Sequence, residues 1–150
     1  MRVKATCFAA ASFLNLFVLI SAAQDRTHKP TTITRLYTGP DGQTHAEEIP
    51  AKFAAGGNSE VSKMMNTAGA ELHRAAPGTV IDWHTAPRRQ YIITLSGRGE
   101  LEVAGGQKIP VGPGHIELVE DTTGKGHITR VVGNEDRVTL QLPLSDQAAR

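Results

Sequence analysis

The fold is decided by the stretch GTVIDWHTAPRRQYIITLSG, residues 78–97. It holds two short runs rich in β-branched and aromatic residues, 79–84 and 91–96, of the kind that fits a pleated surface. Glycines stand at both ends, and a Pro-Arg-Arg segment lies between the runs. Two strands joined by a short connection are therefore expected here, with no helix-length periodicity to compete.

The same pattern continues on both sides. Strands are expected at 71–75, 99–103, 107–111, 115–119, 127–132 and 137–142, separated by glycine and proline. Leu101 and Val103 share one face against Glu100 and Glu102, and Val138, Leu140 and Leu142 oppose Thr139 and Gln141, the period-two signature of half-buried strands. Gly105-Gly106 suits a tight turn with positive φ angles, and Gly112-Pro113-Gly114 marks another. Eight short strands at this spacing indicate an all-β antiparallel sandwich or barrel. Upstream, 31–37 is β-rich and the GPDG run at 39–42 signals a turn. Residues 51–69 carry the weakest pattern. Gly56-Gly57-Asn58-Ser59 reads as a loop, and the SEVSKMMN run that starts at Ser59 reads as a helical turn or an irregular connection.

The N-terminus reads as a targeting segment. Arg2 and Lys4 precede an apolar stretch from residue 5 to 20, and Ser21-Ala22-Ala23 offers small residues for cleavage before Gln24. The alternative is a retained membrane anchor, although the stretch is barely long enough to span and is diluted by Thr6, Ser12 and Asn15. An exported protein, periplasmic or secreted, is the expectation. Losing residues 1–23 removes two of 16 basic residues and none of 15 acidic ones, taking the net charge from +1 to −1 with His neutral. A near-neutral surface gives no electrostatic footprint for nucleic acid, nor for a membrane once the signal is cleaved. The single cysteine, Cys7, leaves with the signal, so disulfides and thiolate metal sites are excluded from the mature chain. The expected organisation is a signal peptide at 1–23, a leader with the first strand at 24–45, a barrel at 46–145 and a tail at 146–150.

The spacing of Gly78, His84, Ala86, Gln90 and Gly97 resembles the first motif of the cupin superfamily. Five, one, three and six residues separate them in turn. In that motif the positions of Ala86 and Gln90 are histidine and glutamate. The stretch from Gly114 to His127 resembles the second motif, with His127 as the last ligand, a longer loop and no proline. The strings DWHTAPRRQY and EDTTGKGH are similar to those of a branch of small bacterial cupins. The resemblance covers about half of the mature chain. It implies a cupin-type double-stranded β-helix, a jelly-roll barrel, as a single domain.

In a complete cupin the motif positions imply a cage of three histidines and one carboxylate, suited to Fe, Mn, Ni, Cu or Zn. Here Ala86 donates nothing and Gln90 offers only a neutral amide oxygen, so a divalent metal is expected to be weakly held or absent. His84, Gln90 and His127 are the candidate ligands. Asp82, two residues before His84, would restore a two-His-one-carboxylate set if it faced inward, or orient His84 from behind. Glu120 and Asp121, in the longer loop, could reach the barrel mouth.

If the strand phase of His84 and Gln90 holds, Arg88 points inward near the mouth and Arg89 outward. A guanidinium beside two histidines suits a carboxylate or phosphate, and Arg88 equally could pair with Glu120 or Asp121. His84, His127 and Arg88 are the candidate catalytic residues, and Arg88, Gln90 and Tyr91 the candidate substrate contacts. Histidine performs acid–base work near neutral pH without a metal. His73 is read as structural or surface, and His28, His45 and His115 as solvent-facing. Trp83 is read as packed core or interface and Lys125 as a solvated loop charge. Three functions stay open. The first is a small-molecule enzyme (lyase, isomerase or oxygenase) acting on an anionic or polyoxygenated substrate. The others are a non-catalytic ligand-binding module and a structural or assembly protein. Homodimerisation is what the resemblance implies about partners.

Overall fold

The structure is a computed structural model that describes residues 29–145. The expected signal segment and the C-terminal tail lie outside the described residues. Twelve strands follow in order: β1 (Thr32–Thr38), β2 (Thr44–Pro50), β3 (Phe53–Gly56), β4 (Ser59–Ser62), β5 (Glu71–Ala75), β6 (Val80–His84), β7 (Gln90–Ser96), β8 (Arg98–Glu102), β9 (Lys108–Val111), β10 (Ile116–Val119), β11 (His127–Val132) and β12 (Arg137–Pro143). A 3-10 turn, Ala104–Gly106, separates β8 from β9, and Gly105 and Gly106 there take φ of 74° and 75°. No helix of the described residues is long and apolar enough to cross a membrane.

The eight strands β5 to β12 pair as nested antiparallel couples: β5 with β12, β6 with β11, β7 with β10 and β8 with β9. This is a long hairpin rolled into two facing sheets, ordered β5-β12-β7-β10 and β6-β11-β8-β9. That order is the jelly roll of a cupin-type double-stranded β-helix. The first sheet is extended by β1, which runs parallel to β10, and by β2, antiparallel to β1. The core between the sheets is Leu36, Leu101, Val103, Val111 and Val119, with Ala86 packed among them. These positions follow the alternation legible in the sequence, since apolar side chains two apart on a strand reach the same face.

Two segments differ from the sequence reading. Residues 53–62 form the hairpin β3–β4 about Gly57, whose φ is 73°. Gly57-Asn58 supplies a two-residue turn, so the run expected as a helical turn or an irregular connection is strand from Ser59 to Ser62 and irregular over 63–66. β2 straddles the expected boundary at residue 45, and the rolled barrel itself begins at Glu71.

Candidate functional site

Nesting brings the end of β6 against the start of β11, so His84 sits directly opposite His127. Their ring centroids lie 4.4 Å apart. Gly126 makes this approach feasible: a Cβ there would stand 2.0 Å from the His84 carbonyl oxygen, and its φ is +78°. Both histidines line a cavity of about 420 Å³ between the sheets, together with Ala86, Gln90, Glu117 and Arg137. That volume falls within the range of small-molecule pockets.

Each imidazole is held at Nδ1. His127 Nδ1 donates to Asp121 Oδ2 at 2.6 Å, and His84 Nδ1 donates to the Asp82 carbonyl at 2.9 Å. A carbonyl or carboxylate acceptor fixes the proton on Nδ1, so the ring nitrogen left for a ligand is Nε2. His127 is 5% exposed and Asp121 is fully buried. Thr44 Oγ1 donates to the same Oδ2 at 3.0 Å, whereas Asp121 Oδ1 is buried with no partner among the described residues. The backbone N–H of Ala86 donates to the Asp121 carbonyl at 3.0 Å, which ties the loop to the end of β6. Burial pushes the His84 imidazole below its ordinary value, with the neighbouring His127 acting in the same direction. His84 is therefore neutral near pH 7, and its Nε2 is an acceptor.

Asp82 does not restore the ligand set. On β6 three steps, from His84 to Ile81, match two on β11, from His127 to Thr129. This bulge breaks the alternation that would have put Asp82 and His84 on one face. Ile81 lines the cavity instead, while the Asp82 carboxylate caps the Trp83 N–H at 2.8 Å on the exposed side. Asp82 orients His84 through its main-chain carbonyl alone. Trp83 is 36% exposed and carries Lys125 Nζ 3.8 Å from its ring centroid, so that loop charge is engaged in a cation–π contact.

Arg88 is not an inward strand residue either. It lies in the bend before β7, where strand phase no longer governs direction. Its Nη2 pairs with Glu71 at 2.6 Å and its Nε donates to Gln90 Oε1 at 3.1 Å. The ion pair with Glu120 falls to Arg89, joined by Arg35 Nε at 2.6 Å. Burial raises the Glu120 carboxyl, but hydrogen bonds from Arg35 and Arg89 outweigh it and hold the group below its ordinary value. Tyr91 opposes Leu118 and Leu142 on neighbouring strands and is not among the cavity-lining residues, whereas Gln90 and Ile92 are.

The residues present do not fit a cupin metal cage. Ala86 has no donor, and the Gln90 oxygen already accepts from Arg88. Among the described residues no group of three His, Cys, Asp or Glu is placed to hold a metal ion.

Sequence reasoning missed three features. Asp121, named only as a loop residue near the mouth, is the partner of His127. The Glu117–Arg137 pair lies on the cavity wall, where the alternation of β10 and β12 was the available signal. His73 lines the cavity opposite Thr139 and bonds Glu71 at 3.2 Å, although it is half exposed. His115 is half-buried, not solvent-facing; its Nε2 has no partner among the described residues, and burial lowers its proton affinity. His45 pairs with Asp41 on the surface, and His28 lies outside the described residues.

No protein-family model matches the chain, and no curated protein matches its sequence. Among solved structures, the chain is similar to a double-stranded beta-helix protein from Klebsiella pneumoniae, at 21% identity and TM-score 0.44 over 56% of this chain and 72% of that one. It is also similar to a cupin-2 domain protein from Shewanella frigidimarina, at 16% identity and TM-score 0.42 over 55% and 74%. An RmlC-like cupin protein from Desulfovibrio desulfuricans aligns over 89% of this chain and 97% of that one, at 16% identity and TM-score 0.38. Likeness at these identities concerns the fold alone, and the nested strand pairing is what defines that fold here.

Proposed function

We propose that the barrel is an exported small-molecule enzyme that moves a proton on a polyoxygenated or anionic carbonyl compound, as an isomerase or lyase, without depending on a metal. The observation that carries this reading is the buried Asp121–His127 contact of 2.6 Å, with the ring lining the cavity beside His84. A carboxylate on Nδ1 stabilises the imidazolium that forms when Nε2 takes a proton. His127 Nε2 would remove the proton from the carbon next to the substrate carbonyl, and the electron pair would pass into an enolate. The same nitrogen then returns the proton by one of two routes. It goes to the former carbonyl carbon once the neighbouring hydroxyl proton of the enediolate has passed to the other oxygen. Alternatively it goes to a hydroxyl on the next carbon, which leaves as water while the enolate collapses to a conjugated carbonyl. His84 stays neutral and accepts a hydrogen bond from a substrate hydroxyl, which fixes the reacting carbon.

The test is deuterium exchange. The mature chain would be incubated in D2O with a panel of hydroxy-carbonyl compounds and read by NMR for label next to the carbonyl. Exchange is expected, lowered roughly 100-fold or more by His127→Gln or Asp121→Asn and unchanged by chelator. Exchange that survives His127→Gln would sink the reading, and loss on chelation would return a metal to the site. A second reading, a binding module that leaves its ligand unchanged, is favoured by one observation. Ala86 opens space in the cavity where the motif places a ligand histidine. A panel that stabilises the fold but never exchanges would select it.

A further inference from the structure

The cavity wall carries a polar group that the proton chemistry does not use. Glu117 is 1% exposed and Arg137 7%, and both line the cavity. They come from β10 and β12, which flank β7 on either side. Arg137 Nη2 donates to Glu117 Oε1 at 2.5 Å and to Thr94 Oγ1 at 2.9 Å, with Nε on the same hydroxyl at 3.3 Å. The other charges near the cavity are matched as well. Arg88 has Glu71, and Arg74, at the exposed mouth, faces Asp136 at 3.9 Å, while Asp121 accepts hydrogen bonds from His127 and Thr44.

This balance bears on what can enter. A carboxylate or phosphate would need the Arg137 fork turned toward it. Burial pushes the Glu117 carboxyl above its ordinary value and the Arg137 guanidinium opposes that push. Turning the fork toward a ligand anion therefore takes from the buried Glu117 the cation that favours its charged form. An uncharged ligand demands no such exchange. Gln90 and Gln141, joined Nε2 to Oε1 at 3.2 Å on the same wall, offer amide donors and acceptors that carry no charge, and Thr139 adds a hydroxyl from a position 5% exposed.

We propose that the cavity selects uncharged polyoxygenated molecules, and that Glu117 is the specificity residue that excludes carboxylates and phosphates by holding Arg137. The inference rests on the reading of the cavity as a small-molecule site and narrows its substrate class. It can fail separately, because the exchange assay reads a reaction and the experiment below reads only which charge is admitted.

Acetate is the probe. Ring signals of His84 and His127 would be followed by NMR in the wild type, Glu117→Gln and the double variant Glu117→Gln with Arg137→Gln. Sodium acetate is titrated against sodium chloride at matched ionic strength. The wild type is expected to show no saturable shift. Glu117→Gln frees Arg137 and is expected to bind acetate roughly tenfold or more tightly than the wild type, a gain that the double variant loses. Saturable acetate binding by the wild type with an affinity equal to that of Glu117→Gln overturns the proposal. So does a cooperatively melting Glu117→Gln protein that gains nothing. Saturable acetate shifts in the wild type at low millimolar concentration also overturn it, and that arm needs no variant to fold.

Discussion

At the scale of single residues, the site depends on a missing side chain as much as on those present. Gly126 holds a positive φ and leaves room for the His84 carbonyl oxygen, which an added Cβ would meet at 2.0 Å. Gly126→Ala is expected to cost about 2 kcal/mol or more in urea denaturation and to displace both ring signals in NMR spectra. Gly105→Ala is its control. It has a similar φ of +74° but nothing within 4 Å, so it should cost only about 1–2 kcal/mol of backbone strain and leave the rings in place. The histidines also set a pH dependence. Burial lowers the proton affinity of His84 and His115 in the folded chain below the ordinary histidine value of about 6.5. Below that pH the unfolded chain takes up protons that the folded one refuses. Their contribution to stability is therefore complete above pH 6.5 and is lost as pH falls toward the lowered folded values. Denaturation midpoints measured from pH 8 to 5 should decline, and His84→Gln should flatten the decline.

At the scale of elements, what could be read from the sequence was strand phase, and it failed where strands stop being regular. Period two placed the Leu101 and Val103 face inward, and both are core residues. It also placed His84 and Gln90, which line the same cavity. The glycine-punctuated run from residue 71 yielded the strands of the barrel nearly to the residue. The inward alternatives for Asp82 and Arg88 fail because a bulge and the Pro87 bend break alternation, while the other alternative for Asp82, orienting His84, is met through its main-chain carbonyl. Asp121 escaped for another reason: a loop has no period, and the Asp121–His127 contact is set by how the loop folds back. The bulge has a direct test. Asp82→Ala should change stability by no more than about 0.5 kcal/mol and leave proton exchange intact, since its carboxylate lies on the exposed side. Ala86→His with Gln90→Glu should instead produce tight zinc binding by calorimetric titration, because both positions face the two histidines. A double variant that binds zinc no better than the wild type would contradict this placement of the barrel interior.

At the scale of the whole molecule, apolar side chains are exposed along the outer strands of both sheets. Leu72 on β5 is 70% exposed and Val80 on β6 57%, and Phe53 and Val61 lie half exposed on the β3–β4 hairpin. Such surface is expected to drive self-association. Sedimentation equilibrium at micromolar concentration should give a dimer that Leu72→Glu together with Val80→Glu converts to monomer; a monomeric wild type would retire the idea. The strands outside the rolled barrel matter in a different way. Thr44 reaches Asp121 from β2 and Arg35 reaches Glu120 from β1, while β1 docks beside β10, far along the chain. The nested couples pair within residues 71–143, whereas the Leu36 part of the core and the Thr44 hydrogen bond to Asp121 both wait for contacts with β1 and β2. Refolding would then end on a late phase in which the packing around Leu36 and the seat of Asp121 mature together, as β1 and β2 return to a loop made far along the chain.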